Sequence, residues 1–273
     1  MLAKVFIVFL LAVTLLASPT RPKGKLAKRK LPKIDARYFP GIRKRQVEDG
    51  FRDALKLANA MSDPPKSAAN NIFKLWFNEI DWDNVQRSFD TILGGAKGQP
   101  GRNLREGNPI LANILVVNEH QRPSACRATN FGSQILATMV NGHTQTPTMV
   151  ICDAAFYNGG IDKSYGCDEH DTSQDLCMGC VPAVTCQSVG QSRVSLAMLT
   201  LGSTILHELT HWKELMPNGK TDDLTTTMKE ARYGNSKLGG DKANAIHNAQ
   251  SYQWFANQMY WSWECEVDFG NPQ

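Results

Sequence analysis

Residues 194–215 contain no proline and a single glycine, Gly202, and read as one long apolar helix. Within it Leu199, Leu201, Ile205 and Leu206 lead into a short polar pattern, His207-Glu208-Leu209-Thr210-His211. On a helix, positions four apart lie one turn apart on the same face. Both imidazoles can therefore bind one zinc ion at about 2.0–2.1 Å. Glu208 adjoins the first imidazole, where its carboxylate reaches a water beside the metal rather than the metal itself. It can take that water's proton and pass it to a leaving amine. With six histidines in 273 residues, about 0.005 such patterns are expected by chance. The bland reading is two surface histidines on an amphipathic helix. The other histidines (His120, His143, His170 and His247) are scattered and read as surface or packing residues.

A catalytic zinc site needs a third protein ligand and an open position for water. Nothing after His211 matches the metzincin extension HExxHxxGxxH, and no histidine follows before His247. The third ligand is therefore expected to be a carboxylate: Glu214, Asp222, Asp223 or Glu230. Glu214, three residues past His211, reads as the end of the helix.

The formal charge of +4 hides a segregation. Residues 21–45 hold eleven Lys or Arg and one acid, Asp35, whereas residues 46–273 carry a net charge of −7. The first twenty residues have one ionisable group, Lys4, followed by twelve mostly apolar residues from Val5 to Leu16 and by Ala17-Ser18. Such a run spans about 18 Å as a helix, too short for a hydrocarbon core of about 30 Å. Residues 1–18 read as a secretory signal peptide. Residues 19–45 read as a solvated basic pro-segment or linker, with Lys28-Arg29-Lys30 and Arg43-Lys44-Arg45 as candidate processing sites. Removal after Arg45 would leave an acidic domain, 46–273, so no nucleic-acid partner is expected. No membrane contact is expected once the signal is gone.

Seven cysteines follow the signal. In a secreted chain they are expected to form disulfides rather than a zinc ribbon, because only Cys177/Cys180 has knuckle spacing. Cys167, Cys177, Cys180 and Cys186 suggest a stapled loop over 166–190. The odd count leaves one thiol free or paired between chains.

Val47, Phe51, Ala54, Leu55, Ala58 and Met61 mark a first helix, ended by Asp63-Pro64-Pro65. Ile72, Leu75, Trp76 and Ile80 suggest a second. Val85, Phe89, Ile92 and Leu93 suggest a third, ended by Gly94-Gly95. Strands are expected over 110–117 and 148–152, loops over 96–109 and 217–241, and a last helix over 243–263.

Glu230-Ala231-Arg232-Tyr233-Gly234 resembles the D-x-x-Y-G of the deuterolysin, or aspzincin, metalloendopeptidases, in which HExxH is followed by G-T-x-D-x-x-Y-G. The family's N-A-D-x-Y-x-x-F-A is echoed at Asn248-Ala249-Gln250-Ser251-Tyr252-Gln253-Trp254-Phe255-Ala256. Ile151 to Phe156 resembles the strand and aromatic segment before the family's active helix, so the resemblance covers roughly 148–260. It implies an α+β, α-rich zincin-like fold with a small sheet. It also implies one zinc ion held by His207, His211 and Glu230, with Tyr233 donating to the oxyanion. Glu replaces the family Asp, the connection from His211 is longer, and Thr226-Thr227 replaces G-T. Placing the ligand at Asp222 or Asp223 comes closer to family spacing but loses the Tyr-Gly. Lysine-specific members carry acids at the positions of Gln250 and Gln253. Neutral amides there offer a buried lysine no counter-charge, so strict cleavage before lysine is not expected.

Together these features predict a secreted, monomeric zinc metalloendopeptidase acting on protein or peptide substrates, made as a zymogen. The alternative is a secreted zinc-binding or interaction protein with little or no proteolysis.

Overall fold

The computed structural model describes residues 31–61, 66–95, 103–127, 135–164, 181–190 and 192–270. Seven α-helices and three strands follow in the order α1 (Ile42–Asn59), α2 (Lys66–Trp76), α3 (Trp82–Ile92), β1 (Leu115–Asn118), β2 (Ala137–Val140), β3 (Thr148–Ile151), α4 (Cys186–Val189), α5 (Leu201–Thr210), α6 (Met228–Tyr233) and α7 (Ala249–Glu264). Short 3-10 turns join many of them. The fold is α+β, as expected, with helices dominant and one small sheet.

The sheet has the order β1-β3-β2. β3 is buried along its whole length, pairing in parallel with β1 and antiparallel with β2. Its continuous run Thr148-Met149-Val150-Ile151 suits a central strand covered on both faces. β2 is an edge strand that the hydropathy pattern did not announce.

α5 is shorter than the helix read from sequence. Thr200 caps it, taking a hydrogen bond from Ser203 N at 3.0 Å while Ser203 Oγ takes one from Thr200 N at 3.1 Å. These bonds satisfy donors that would otherwise be orphaned at the helix start. Residues 196–198 before it form a separate 3-10 turn. All ten residues of α5 are buried, between α1 and α7.

Two glycines set the α1–α5 approach. A Cβ at Gly202 would lie 2.5 Å from Asp53 Cβ and 2.9 Å from Ala54 N. One at Gly50 would lie 2.9 Å from Leu201 Cγ and from Ile205 Cδ1. The helices meet closer than any side chain at these positions would permit.

α2, α3 and α7 share an aromatic core. Phe73, Phe77, Phe89, Tyr252 and Phe255 contact one another with ring centroids 5.1–6.1 Å apart. Ile80, read as part of the second helix's apolar face, instead lies on a 3-10 turn and is 84% exposed.

The basic segment differs from the solvated tail expected of it. Ile34 and Phe39 are buried in the core. Asn118 Nδ2 donates to Tyr38 O at 2.6 Å, and Phe39 packs on Phe156. Arg43 bonds Asp153 at 2.8 Å and lies over the Phe156 ring. Arg43-Lys44-Arg45 occupies the first turn of α1, so a boundary after Arg45 falls inside a helix. Charge density had masked the apolar anchors between the cations. Residues 1–30, with the signal segment and Lys28-Arg29-Lys30, lie outside the described residues.

Two disulfides are described. Cys126–Cys152 ties a turn to the end of β3, and Cys186–Cys265 ties α4 to the end of α7. The second pairs Cys186 far from the stapled loop expected of it. Cys167, Cys177 and Cys180 lie outside the described residues. Among the described residues no helix is long and apolar enough to cross a membrane.

Candidate metal centre

α5 delivers His207, Glu208 and His211 to one place at its C-terminal end, the last as the C-cap. The two imidazoles face each other, with Nε2 to Nε2 at 3.3 Å. His207, Glu208 and His211 form a group that could hold a metal ion.

His211 Nδ1 lies 2.9 Å from the Thr221 carbonyl oxygen. A carbonyl only accepts, so Nδ1 carries a proton, and Nε2, turned toward His207 and Asp223, is the nitrogen that offers a lone pair to a metal once its own proton is displaced. This is the backbone partner that metal-ligating histidines usually have. His207 Nδ1 is buried and has no hydrogen-bond partner among the described residues.

The carboxylate that joins them is Asp223. Its Oδ1 lies 3.1 Å from His207 Nε2 and 3.5 Å from His211 Nε2. Burial opposes the charged form of His211. The hydrogen bond that the imidazole donates to Asp223, the charges of Glu208 and Asp223, and the Thr221 carbonyl outweigh it and raise the imidazole to about 9. Burial likewise pushes the Asp223 carboxyl up, but the two imidazoles outweigh it and hold it well below the usual carboxylate range. The Asp223 side chain remains 59% exposed, so the cluster opens to solvent on that side.

The segment carrying Asp223 is fastened at both ends. Thr221 N donates to Thr210 O at 3.0 Å, and the two threonine hydroxyls lie 2.7 Å apart. Asp222 pairs with Asn248 through backbone bonds to His247 and Ala249. Asn248 is fully buried, and its amide reaches Leu224 N at 3.1 Å and Thr225 Oγ1 at 3.1 Å. Asp222 itself turns outward to Lys220.

Glu230 is not brought to the imidazoles. Its carboxylate accepts from Thr226 N at 2.7 Å and Thr226 Oγ1 at 3.1 Å, closing the start of α6, and neither histidine is among its partners. Tyr233 is 59% exposed, and its hydroxyl makes no hydrogen bond with His207, Glu208, His211 or Asp223. The Glu230-to-Gly234 match thus pointed to a helix cap and a surface turn. Of the four carboxylates the sequence offered, Asp223 is the one the structure brings to both imidazoles.

Glu208 is buried, with Oε1 3.9 Å from His207 Nε2 and Oε2 accepting the Met139 backbone N–H at 2.6 Å. β2 and the turn after it are clamped to the end of α5. Lys213 N donates to Gly142 O at 2.9 Å, and Trp212 Nε1 to Thr144 O at 2.8 Å. A Cβ at Gly142 would lie 2.2 Å from His211 O, so this approach also demands glycine.

No family model matches the sequence, and no curated protein matches it. Among solved structures the chain is similar to a zinc peptidase from Grifola frondosa, at 13% identity and a TM-score of 0.40. The match covers 78% of this chain and 94% of that one.

Proposed function

We propose that this chain is a secreted zinc metalloendopeptidase of zincin-like fold, with His207, His211 and Asp223 holding the metal. The observation that carries the reading is the spacing of three ligand atoms: 3.3, 3.1 and 3.5 Å between His207 Nε2, His211 Nε2 and Asp223 Oδ1. Two ligands at about 2.0–2.1 Å from one tetrahedral zinc lie about 3.3 Å apart, so the donor set fits that ion. Two nitrogens and one carboxylate oxygen, open on one side, also suit a catalytic rather than a closed structural site.

A zinc ion there supplies Lewis-acid polarisation of a peptide carbonyl and acidifies water. The chain's own groups do the rest. Thr221 fixes the His211 tautomer. Asn248 fixes the segment that presents Asp223. Glu208, buried beside the imidazoles, takes the proton from the attacking water and delivers it to the leaving amine. Among the described residues no strand pairs with β2 on the side away from β3, and apart from the Met139 N–H held by Glu208 that edge suits an extended peptide. The two disulfides are compatible with an oxidising compartment. Substrates are proteins or peptides, without strict preference for lysine, and the protein acts as a monomer made with a removable leader.

The test is zinc-dependent cleavage. A chelator should abolish hydrolysis of a denatured protein, and zinc should restore it. Glu208→Gln should retain zinc but lose hydrolysis. Cleavage at the parent rate by that variant would refute the mechanism. A second reading, a secreted zinc-binding protein with little proteolysis, draws support from the solvent-exposed side chain of Tyr233, the oxyanion donor expected from the sequence.

A further inference from the structure

Glu208 is held by a group that the zinc ligands do not account for. β2 runs antiparallel to β3 with Thr138 opposite Val150 and Val140 opposite Thr148. Cys152 N donates to Leu136 O at 2.9 Å, which places the groups of residues 136, 138 and 140 on the β3 side. The N–H of Met139 must then point off the free edge. There it meets Glu208 Oε2 at 2.6 Å. A free-edge N–H ordinarily faces water; this one is spent on a buried carboxylate. It cannot drift, because Gly142 and Thr144 lock the following turn to Lys213 and Trp212 at the end of α5.

We infer that the Met139 backbone N–H is a positioning group for Glu208: it immobilises Oε2 and leaves Oε1, on the imidazole side, as the oxygen that accepts and returns the proton. The inference rests on the hydrolase reading above. A carboxylate free to rotate would present either oxygen and lose time in unproductive rotamers. A charge-assisted bond to a rigid strand removes that freedom before the substrate arrives. The same bond takes this N–H out of substrate pairing, so its loss acts on the chemical step and not on peptide binding.

The decisive variant is Met139→Pro, which deletes the N–H at a position where it makes no ladder bond. With zinc content equal to the parent, kcat is expected to fall about ten- to hundredfold with KM unchanged. Met139→Leu, which keeps the N–H, should restore kcat at least about tenfold over the proline variant. Parent-like kcat in a zinc-loaded Met139→Pro overturns the inference. So does a raised KM with kcat unchanged, which would mean the N–H contacts substrate.

A second readout does not depend on hydrolysis or on the proline variant folding. In methionine-labelled protein, amide exchange at Met139 should speed up at least about tenfold in Glu208→Ala, while Met149 in the central strand holds its rate. Unchanged exchange at Met139 overturns the inference. If the parent cleaves nothing, the hydrolase reading fails, and the exchange measurement still decides whether the N–H holds Glu208.

Discussion

Replacing Gly202 with alanine should destabilise the protein, against the usual effect of that exchange in a helix. Glycine in a helix interior costs about 0.5–1 kcal/mol relative to alanine, so the intrinsic effect is a gain. Here the new methyl would lie 2.5 Å from Asp53 Cβ, 2.9 Å from Ala54 N and 3.0 Å from the Asp53 carbonyl carbon. Ordinary carbon contacts sit at about 3.5–4.0 Å. These atoms belong to, or are attached directly to, the backbone of α1 and cannot swing aside, so α1 and α5 must part by about 1 Å. Overpacking of this kind costs about 1–3 kcal/mol and more when backbone must move. Taking about 3 kcal/mol and subtracting the helical gain leaves about 2 kcal/mol of destabilisation. For a domain of this size that is a fall in Tm of about 4–8 °C. Thermal and denaturant unfolding would measure it with the disulfides intact. Gly240→Ala, where a Cβ meets nothing within 4 Å, is the control and should change stability by less than about 0.5 kcal/mol. Because His207 lies on the displaced helix, zinc affinity should weaken as well. A Gly202→Ala protein as stable as the parent would refute the close-packing argument.

Zinc affinity should rise about tenfold per pH unit from about pH 6 and level off above about 9. The metal must displace the proton that Asp223 and Glu208 help hold on His211, and that group titrates at about 9. Chelator competition across this range would measure it, and a flat profile would contradict the cluster. Asn248→Ala should weaken zinc binding and cost about 2 kcal/mol or more of stability, because Leu224 N and Thr225 lose a buried partner. Isothermal titration and unfolding would report the two effects separately. A chain starting at Gln46 should lose about 3 kcal/mol or more, since it lacks the buried Ile34 and Phe39 and the Arg43–Asp153 pair. Amino-terminal sequencing of secreted protein should accordingly find residues 34–45 retained; a mature chain that begins at Gln46 with parent stability would contradict this.

What the sequence made legible was local. The proline-free apolar run around His207 and His211 marked the helix, because burial on every side leaves a continuous hydrophobic signature. The 3.6-residue spacing likewise located α1, α3 and α7, and the short run at 148–151, three of its four residues β-branched, located β3. The carboxylate that meets the two imidazoles was not fixed locally. Asp223 reaches the imidazoles only because Thr221 bonds Thr210 and Asn248 pairs with the Asp222 segment. Those contacts are tertiary, and the more conspicuous Glu230–Tyr233–Gly234 pattern drew the assignment away. β2 escaped notice because four residues on an edge, Ala137-Thr138-Met139-Val140, alternate too weakly to register. The anchors Ile34 and Phe39 were hidden by the lysines and arginines around them, which average to a solvated composition although single apolar residues reach the core.

The most direct measurement is zinc content and affinity of Asp223→Ala and Glu230→Ala prepared side by side. Asp223→Ala is expected to lose zinc affinity by about a hundredfold or more, while Glu230→Ala keeps one zinc per chain at parent affinity. Full zinc occupancy in Asp223→Ala, with loss in Glu230→Ala, would contradict a metal centre built on His207, His211 and Asp223.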